Sequence, residues 1–193
     1  MILDLAAFAT SRAVILVEGM SDQAALEALA ERRGRALGAE GISIVGMAGA
    51  TNIGRFVDLL GPRGLGIRLA GLCDAAEEGY FRRALERAGL GSGMSRADME
   101  ALGFYVCTAD LEDELIRALG ATSVEQIIAA QGEIRSLRIF QKQPAQQRRS
   151  PEMQLHRFMG TRSGRKCHYA RLLAGALDLS QVPRPLDRVL AHV

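Results

Sequence analysis

The chain has 193 residues, 48% of them hydrophobic and 24% charged, enough for one domain with a real core or one domain with a substantial extension. Its longest apolar runs, such as AVILV and IIAA, fall far short of the roughly 20 residues that cross a bilayer, and the opening MILDLAAFATSR has an early aspartate and no basic start, so a soluble protein without membrane span or export signal is expected. The net charge of +2 conceals an asymmetry: residues 1–134 hold 12 Lys and Arg against 19 Asp and Glu, a balance of −7, whereas residues 135–193 hold 12 against 3, a balance of +9.

Residues 13–17, AVILV, form a short apolar run rich in β-branched side chains, the pattern of a strand buried on both faces. A helix is predicted over 21–38, with Ser21 as a candidate N-cap and basic residues before Gly38. The alternation repeats: a strand in ISIVGM, a helix in GATNIGRFVDLLG, a strand in GIRLAGLCD, a helix in GYFRRALERAGL and a strand in GFYVCTAD. Strands alternating with helices predict a parallel sheet with right-handed crossovers, and ligands in such sheets gather at the carboxyl ends of the strands. Glu18 follows the first strand, Asp74 closes the third, and Asp110, Glu112 and Asp113 follow the fourth, so three chain segments should deliver carboxylates to one edge.

From about Thr122 the β/α rhythm gives way to helical patterns interrupted by Pro144, Pro151, Gly160 and Gly164. The organisation read from this is an α/β domain over residues 1–120 and a basic, mainly helical extension over residues 121–193 packed on it. A cationic segment beside an acidic module suits a polyanionic partner, because Lys and Arg that neutralise phosphates release counterions; the alternative is that the cations dock on the acidic half of the same chain. Cys73, Cys107 and Cys167 are odd in number, widely spaced and without a CxxC pair, so neither a disulfide framework nor a zinc cluster is indicated, and the cytoplasm fits. Cys73 and Cys107 read as small buried hydrophobes.

The chemistry centres on VEGMSD, residues 17–22, and on LCDAAEEG, residues 72–79. A glutamate leaves a strand into a glycine turn, and Asp22 lies four residues beyond Glu18, so both carboxylates can face one site. Glu77 and Glu78 could be solvated loop charges, and Asp110, Asp113 and Glu114 could simply favour the positive end of a helix dipole. His156 and His168 lack HxH or HExxH spacing and read as surface or half-buried histidines. Arg162, Arg165 and Lys166 lie in GTRSGRK, a loop with three positive groups that could clamp a phosphate backbone, although it lacks the GxxxxGK[ST] spacing of a P-loop.

Taken together, VEGMSD and DAAEEG resemble the Toprim family, the α/β domain of topoisomerases, primases and nucleases of the OLD (overcoming lysogenization defect) type. That family's marks are a glutamate and glycine after the first strand and DxDxxG after the third. LVEGMSD matches the first, with Asp22 similar to the second acid of the OLD branch. DAAEEG keeps Asp74 and Gly79 but has Ala76 at the second aspartate position, and Glu78 is the nearest replacement. The resemblance extends through IVGMAGATNIGRFVDLLG with its Asn52, and to Glu112 in DLEDELIRALG. Lys166 in SGRKCHYARLLAGAL is similar to a lysine that OLD-type nucleases place near the scissile phosphate.

The resemblance implies a Toprim, Rossmann-like parallel sheet of about four strands and a metal-dependent nuclease. Glu18, Asp22, Asp74, Glu78 and Glu112 would hold one or two Mg²⁺ or Mn²⁺ ions, Glu18 and Lys166 would be catalytic, and Arg162, Arg165 and Lys166 would bind nucleic acid, DNA in the first instance. Mg²⁺ is a hard cation that prefers carboxylates and water, and two ions about 4 Å apart can activate a water and stabilise the leaving oxygen of a phosphodiester. OLD-type nucleases usually carry an ATPase domain ahead of this module, whereas this sequence has no Walker motif, so the resemblance implies a free-standing domain with an ATPase partner on another polypeptide or an independent activity. The alternatives are a weakened nucleic-acid-binding or partner-docking module, with Ala76 as its signature, and a nucleotidyl transferase. Oligomeric state is not legible.

Overall fold

The computed structural model describes residue 8 and residues 10–193. The reading of the opening segment as lacking an export signal therefore falls largely outside the described residues. Four strands, β1 (Ala13–Val17), β2 (Ile42–Gly46), β3 (Arg68–Cys73) and β4 (Phe104–Val106), form one parallel sheet in the order β2-β1-β3-β4. β1 is buried at every position, which is what a run of apolar residues without alternation requires in the middle of a sheet covered on both faces. Because successive side chains alternate, Ala13, Ile15 and Val17 enter one core while Val14 and Leu16 enter the other.

The second core is closed by α2 (Ile53–Leu60), α3 (Glu78–Arg87) and α4 (Arg96–Ala101), which contribute Phe56, Phe81 and Met99. The sequence reading did not include α4, which is fixed by its cap: Ser95 accepts the Asp98 N–H, and Asp98 Oδ2 accepts the Ser95 N–H. The first core is closed by α1 (Met20–Arg32), α5 (Leu111–Leu119), α6 (Ala121–Ala130), α7 (Ile134–Gln141), α8 (Pro151–Met159), α9 (Arg165–Ala176) and α10 (Arg184–His192). Predicted as ending at residue 38, α1 stops at the Arg33 cap, because Gly34 turns the chain with φ +70°. Pro151 is the first residue of α8, where a missing N–H costs nothing, and Ser150 caps that helix.

In sequence α5–α10 depart from the β/α rhythm, yet Tyr169, Leu173, Leu186 and Val189 share one hydrophobic cluster with β1 and β3. The charge asymmetry is met in part within the chain: Arg171 of the basic part pairs with Glu31, Arg184 with Glu100 and Arg138 with Glu125. Among the described residues no helix is long and apolar enough to cross a membrane.

Candidate metal centre

The strand order reverses between β1 and β3, so the loops leaving them diverge to opposite sides and open a cleft at their carboxyl ends. Glu18 leaves β1 into that cleft. Gly19 then caps α1, and its N–H donates to Asp22 Oδ2 at 2.9 Å, which fixes the second acid one turn further on. A Cβ on Gly46 would come within 3.2 Å of the Gly19 carbonyl carbon, so the glutamate turn lies against the end of β2. The loop after β2 clasps the same turn: Met47 N–H donates to Val17 O and Gly49 N–H to Glu18 O. Asn52 Nδ2 donates to Met47 O, and Ala48 sits at φ 57°, a left-handed conformation that costs a non-glycine residue on the order of 1 kcal/mol and is held by these bonds.

Asp74 ends β3 in extended backbone before a 3-10 turn over Ala75–Glu77. Ala75 N–H donates to Ala109 O, which draws the loop after β4 alongside. There Asp110 caps α5 through Oδ1, accepting the Asp113 N–H at 2.9 Å, and Glu112 stands in the first turn, 1% exposed. Lys166, in the first turn of α9, brings Nζ to 3.0 Å from Glu112 Oε2. Glu18, Gly19, Ser21, Asp22, Ala48, Gly49, Asp74 and Lys166 line one cleft of about 350 Å³.

Electrostatically the cleft is short of positive charge. Burial pushes the Asp74 carboxyl up to about 7, helped by Asp22, Asp110 and Glu18 and opposed by Lys166. Asp22, 8% exposed, is raised to about 6, chiefly by burial and then by Glu112 and Glu18, while the Gly19 N–H and Lys166 pull it down. Glu112 is raised by burial against the pull of Lys166. Buried Glu18 Oε2 and Glu112 Oε1 have no hydrogen-bond partner among the described residues, while the ammonium of Lys166 stands 3.0 Å from Glu112 Oε2. Orphaned carboxylate oxygens in a low-dielectric site are costly unless a cation completes them, and hard oxygen donors fit Mg²⁺ or Mn²⁺.

Three of the sequence-derived candidates stand elsewhere. Glu78, expected to replace the missing aspartate at Ala76, turns away to Arg96 at 2.8 Å and Arg82 at 3.5 Å, and does not line the cleft. The reason is geometric: Glu78 begins α3, whose first turn faces the α4 side. Arg165 is buried, stacks 4.1 Å over the Phe158 ring and reaches Glu133 at 2.8 Å, so its guanidinium holds α9 to the loop before α7. Arg162 is exposed, 3.7 Å from Glu133. Asp110, read from the sequence as an edge carboxylate or a helix-start charge, and His156, read as a surface or half-buried histidine, meet at 2.7 Å beside Glu112. The DxE spacing of Asp110 and Glu112 was a signal; nothing in the sequence joined them to a histidine 46 residues away.

A parallel sheet with a glutamate after β1, an aspartate after β3 and a basic group facing them is an α/β arrangement similar to that of the Toprim class. Residues 10–75 match the family described as overcoming lysogenization defect protein-like, TOPRIM domain. The fold is similar to the C-terminal region of the Xanthomonas campestris pv. campestris OLD protein, with TM-score 0.74 and 26% identity over 95% of this chain and 92% of that one. A second structure of that region gives TM-score 0.71 and 27% identity over 94% of each chain. The C-terminal region of the Burkholderia pseudomallei OLD protein shares the fold at TM-score 0.72 and 24% identity, over 94% of this chain and 96% of that one. Among curated proteins none matches. The chain thus resembles the OLD-like Toprim domain, and the likeness in fold runs over nearly its whole length.

Proposed function

We propose that this chain hydrolyses phosphodiester bonds of nucleic acid with a divalent metal, as a DNA endonuclease or nickase. An OLD-like Toprim domain implies a metal-binding module that acts on nucleic acid. The step to hydrolysis rests on one observation: acids from two chain segments, Glu18 with Asp22 and Asp74, and the ammonium of α9 line a single cleft in which a buried Glu18 oxygen has no hydrogen-bond partner among the described residues. Glu18, Asp22, Asp74 and Glu112 are the residues that would hold Mg²⁺ or Mn²⁺, one ion or two. A bound ion would polarise the phosphodiester and lower the pKa of a coordinated water.

The chain's own groups supply the rest. Glu18 is placed to accept a proton from the attacking water, and Lys166 directs positive charge at the oxygens on which charge develops. The loop around Ala48 fixes the Glu18 backbone, so that the carboxylate needs no reorganisation. Arg162, exposed in the loop that leads into α9 and so to Lys166, contacts the phosphate backbone and orients the strand without reading sequence. Activity of the isolated chain would separate independent action from dependence on an ATPase-bearing partner.

The test is nicking of supercoiled plasmid with Mn²⁺ or Mg²⁺. Wild type should nick, and Glu18→Ala and Lys166→Ala should each lose about 100-fold or more. Folded wild type that binds metal and DNA without nicking would sink hydrolysis and establish the binding-module reading, which Ala76 in place of the second aspartate favours.

A further inference from the structure

We propose, resting on the reading of this chain as one that acts on nucleic acid, that the cleft between the start of α5 and α8 is where the bound strand runs on from the Glu18 cleft. Arg149 and Arg157 meet its phosphates, and Ala109, Ile116 and Met153 form an apolar wall against which a base rests. The cleft has a volume of about 330 Å³ and shares no lining residue with the Glu18 cleft. That volume is at the small end of ligand pockets, room for a nucleotide rather than a duplex. The two clefts adjoin: Lys166 lines the first and stands 3.0 Å from Glu112, and Glu112 lies beside the Asp110 and His156 pair that lines the second.

Charge singles this surface out. Of the cations in residues 135–193, Arg138, Arg162, Arg165, Lys166, Arg171 and Arg184 pair with acids. Lys142, Arg148, Arg149 and Arg157 make no ion pair among the described residues, and all four lie on α8 or in the loop ahead of it. The acids of the cleft are mostly engaged: Asp110 accepts the Asp113 N–H and meets His156, and Asp113 pairs with Arg117 at 3.4 Å. Glu152 makes no ion pair among the described residues, so two guanidiniums share the cleft with one uncompensated carboxylate. The loop is already set. Gln154 Nε2 donates to Gln146 O and Arg149 O, and Arg149 Nε donates to Ala145 O at 3.1 Å, which leaves the outer guanidinium nitrogens for an anion. Met153, 50% exposed, adds an adaptable apolar surface. Guanidiniums beside an apolar wall suit a chain of alternating phosphates and bases, whereas a free anion has no use for the wall.

Fluorescence anisotropy of labelled DNA oligonucleotides, single-stranded and duplex, with the full chain in EDTA reads affinity without cutting, over a salt range of about 50 to 200 mM. Arg149→Ala combined with Arg157→Ala should weaken binding about 10-fold or more and lower the slope of log affinity against log salt by about 1.5, as two phosphate contacts are lost. Arg149→Lys combined with Arg157→Lys should keep most of that slope, and Glu152→Gln should tighten binding. Met153→Ala should weaken binding about 3-fold with the slope unchanged, which marks an uncharged contact to a base. Arg188→Ala, which removes an exposed cation from α10 outside the cleft, should stay within about 2-fold of wild type. Wild-type affinity and slope in the double alanine variant, an equal loss in Arg188→Ala, or no DNA bound by wild type at the lowest salt overturns the proposal. Wild type that binds through this surface without nicking would sink hydrolysis alone, whereas intact nicking with unchanged binding in the double alanine variant would sink this surface alone.

Discussion

Asp74 and Asp22 carry the clearest consequence at the scale of single residues. Both carboxyls sit above their ordinary range, Asp74 at about 7 and Asp22 at about 6, so the folded chain binds protons more tightly than the unfolded chain. Their contribution to stability is therefore gained as pH falls through 7 toward 4 and is lost above 7, where both must ionise together. His156, raised through its hydrogen bond to Asp110, acts in the same direction: its contribution is present below the ordinary histidine range and lost as pH rises through the raised value. In EDTA, wild type should melt higher at pH 5.5 than at pH 8, and Asp74→Asn should melt above wild type at pH 8 with a flatter profile. Thermal melts of both proteins across that range check this, and equal slopes would refute it.

Among the elements, α9 does two jobs with adjacent residues. Lys166 faces the cleft while Arg165 is buried against Phe158 and Glu133, and Tyr169 donates its hydroxyl to the other Glu133 oxygen at 2.8 Å. A basic triplet in one loop thus divides by helical phase: neighbouring residues on a helix point about 100° apart and cannot share a role. Arg165→Ala should cost about 2 kcal/mol in urea denaturation, as a charged hydrogen bond and a stacked guanidinium are lost together. Arg162→Ala should stay within about 0.5 kcal/mol, and any deficit should appear in nucleic-acid affinity. The same division explains Glu78, one residue past Glu77: it opens a helix whose start is tied to α4, and no sequence spacing announces that tie.

On the scale of the whole molecule, basic residues of the last part of the chain neutralise some acids of the first part, Arg171 at Glu31 and Arg184 at Glu100, while the first core joins α1 and α5–α10 on one face of the sheet. The centre at the carboxyl edge is where that neutralisation is incomplete, and a cation should stabilise the fold. At 100 times its dissociation constant, Mn²⁺ should add about 2.7 kcal/mol, a rise of several degrees in melting temperature. Glu18→Ala should shrink this rise. An unchanged melting temperature in wild type would show that the carboxylates do not hold the ion.

The sequence by itself determined the sheet. Four apolar runs spaced by helical segments leave few arrangements, because parallel strands need crossovers and crossovers are right-handed, and from that the carboxyl edge with Glu18, Asp74 and Glu112 follows. Asp22 was legible from helical spacing, and Lys166 from its basic loop together with the resemblance. Tertiary structure decided what periodicity cannot encode: that Glu78 spends its charge on Arg96, that Arg165 is interior, and that His156 meets Asp110 from a helix on the far side of a 46-residue separation. Local pattern reports which face of an element is apolar. Which polar groups meet depends on how elements from distant parts of the chain are packed, and that is settled by the shared core rather than by any one stretch.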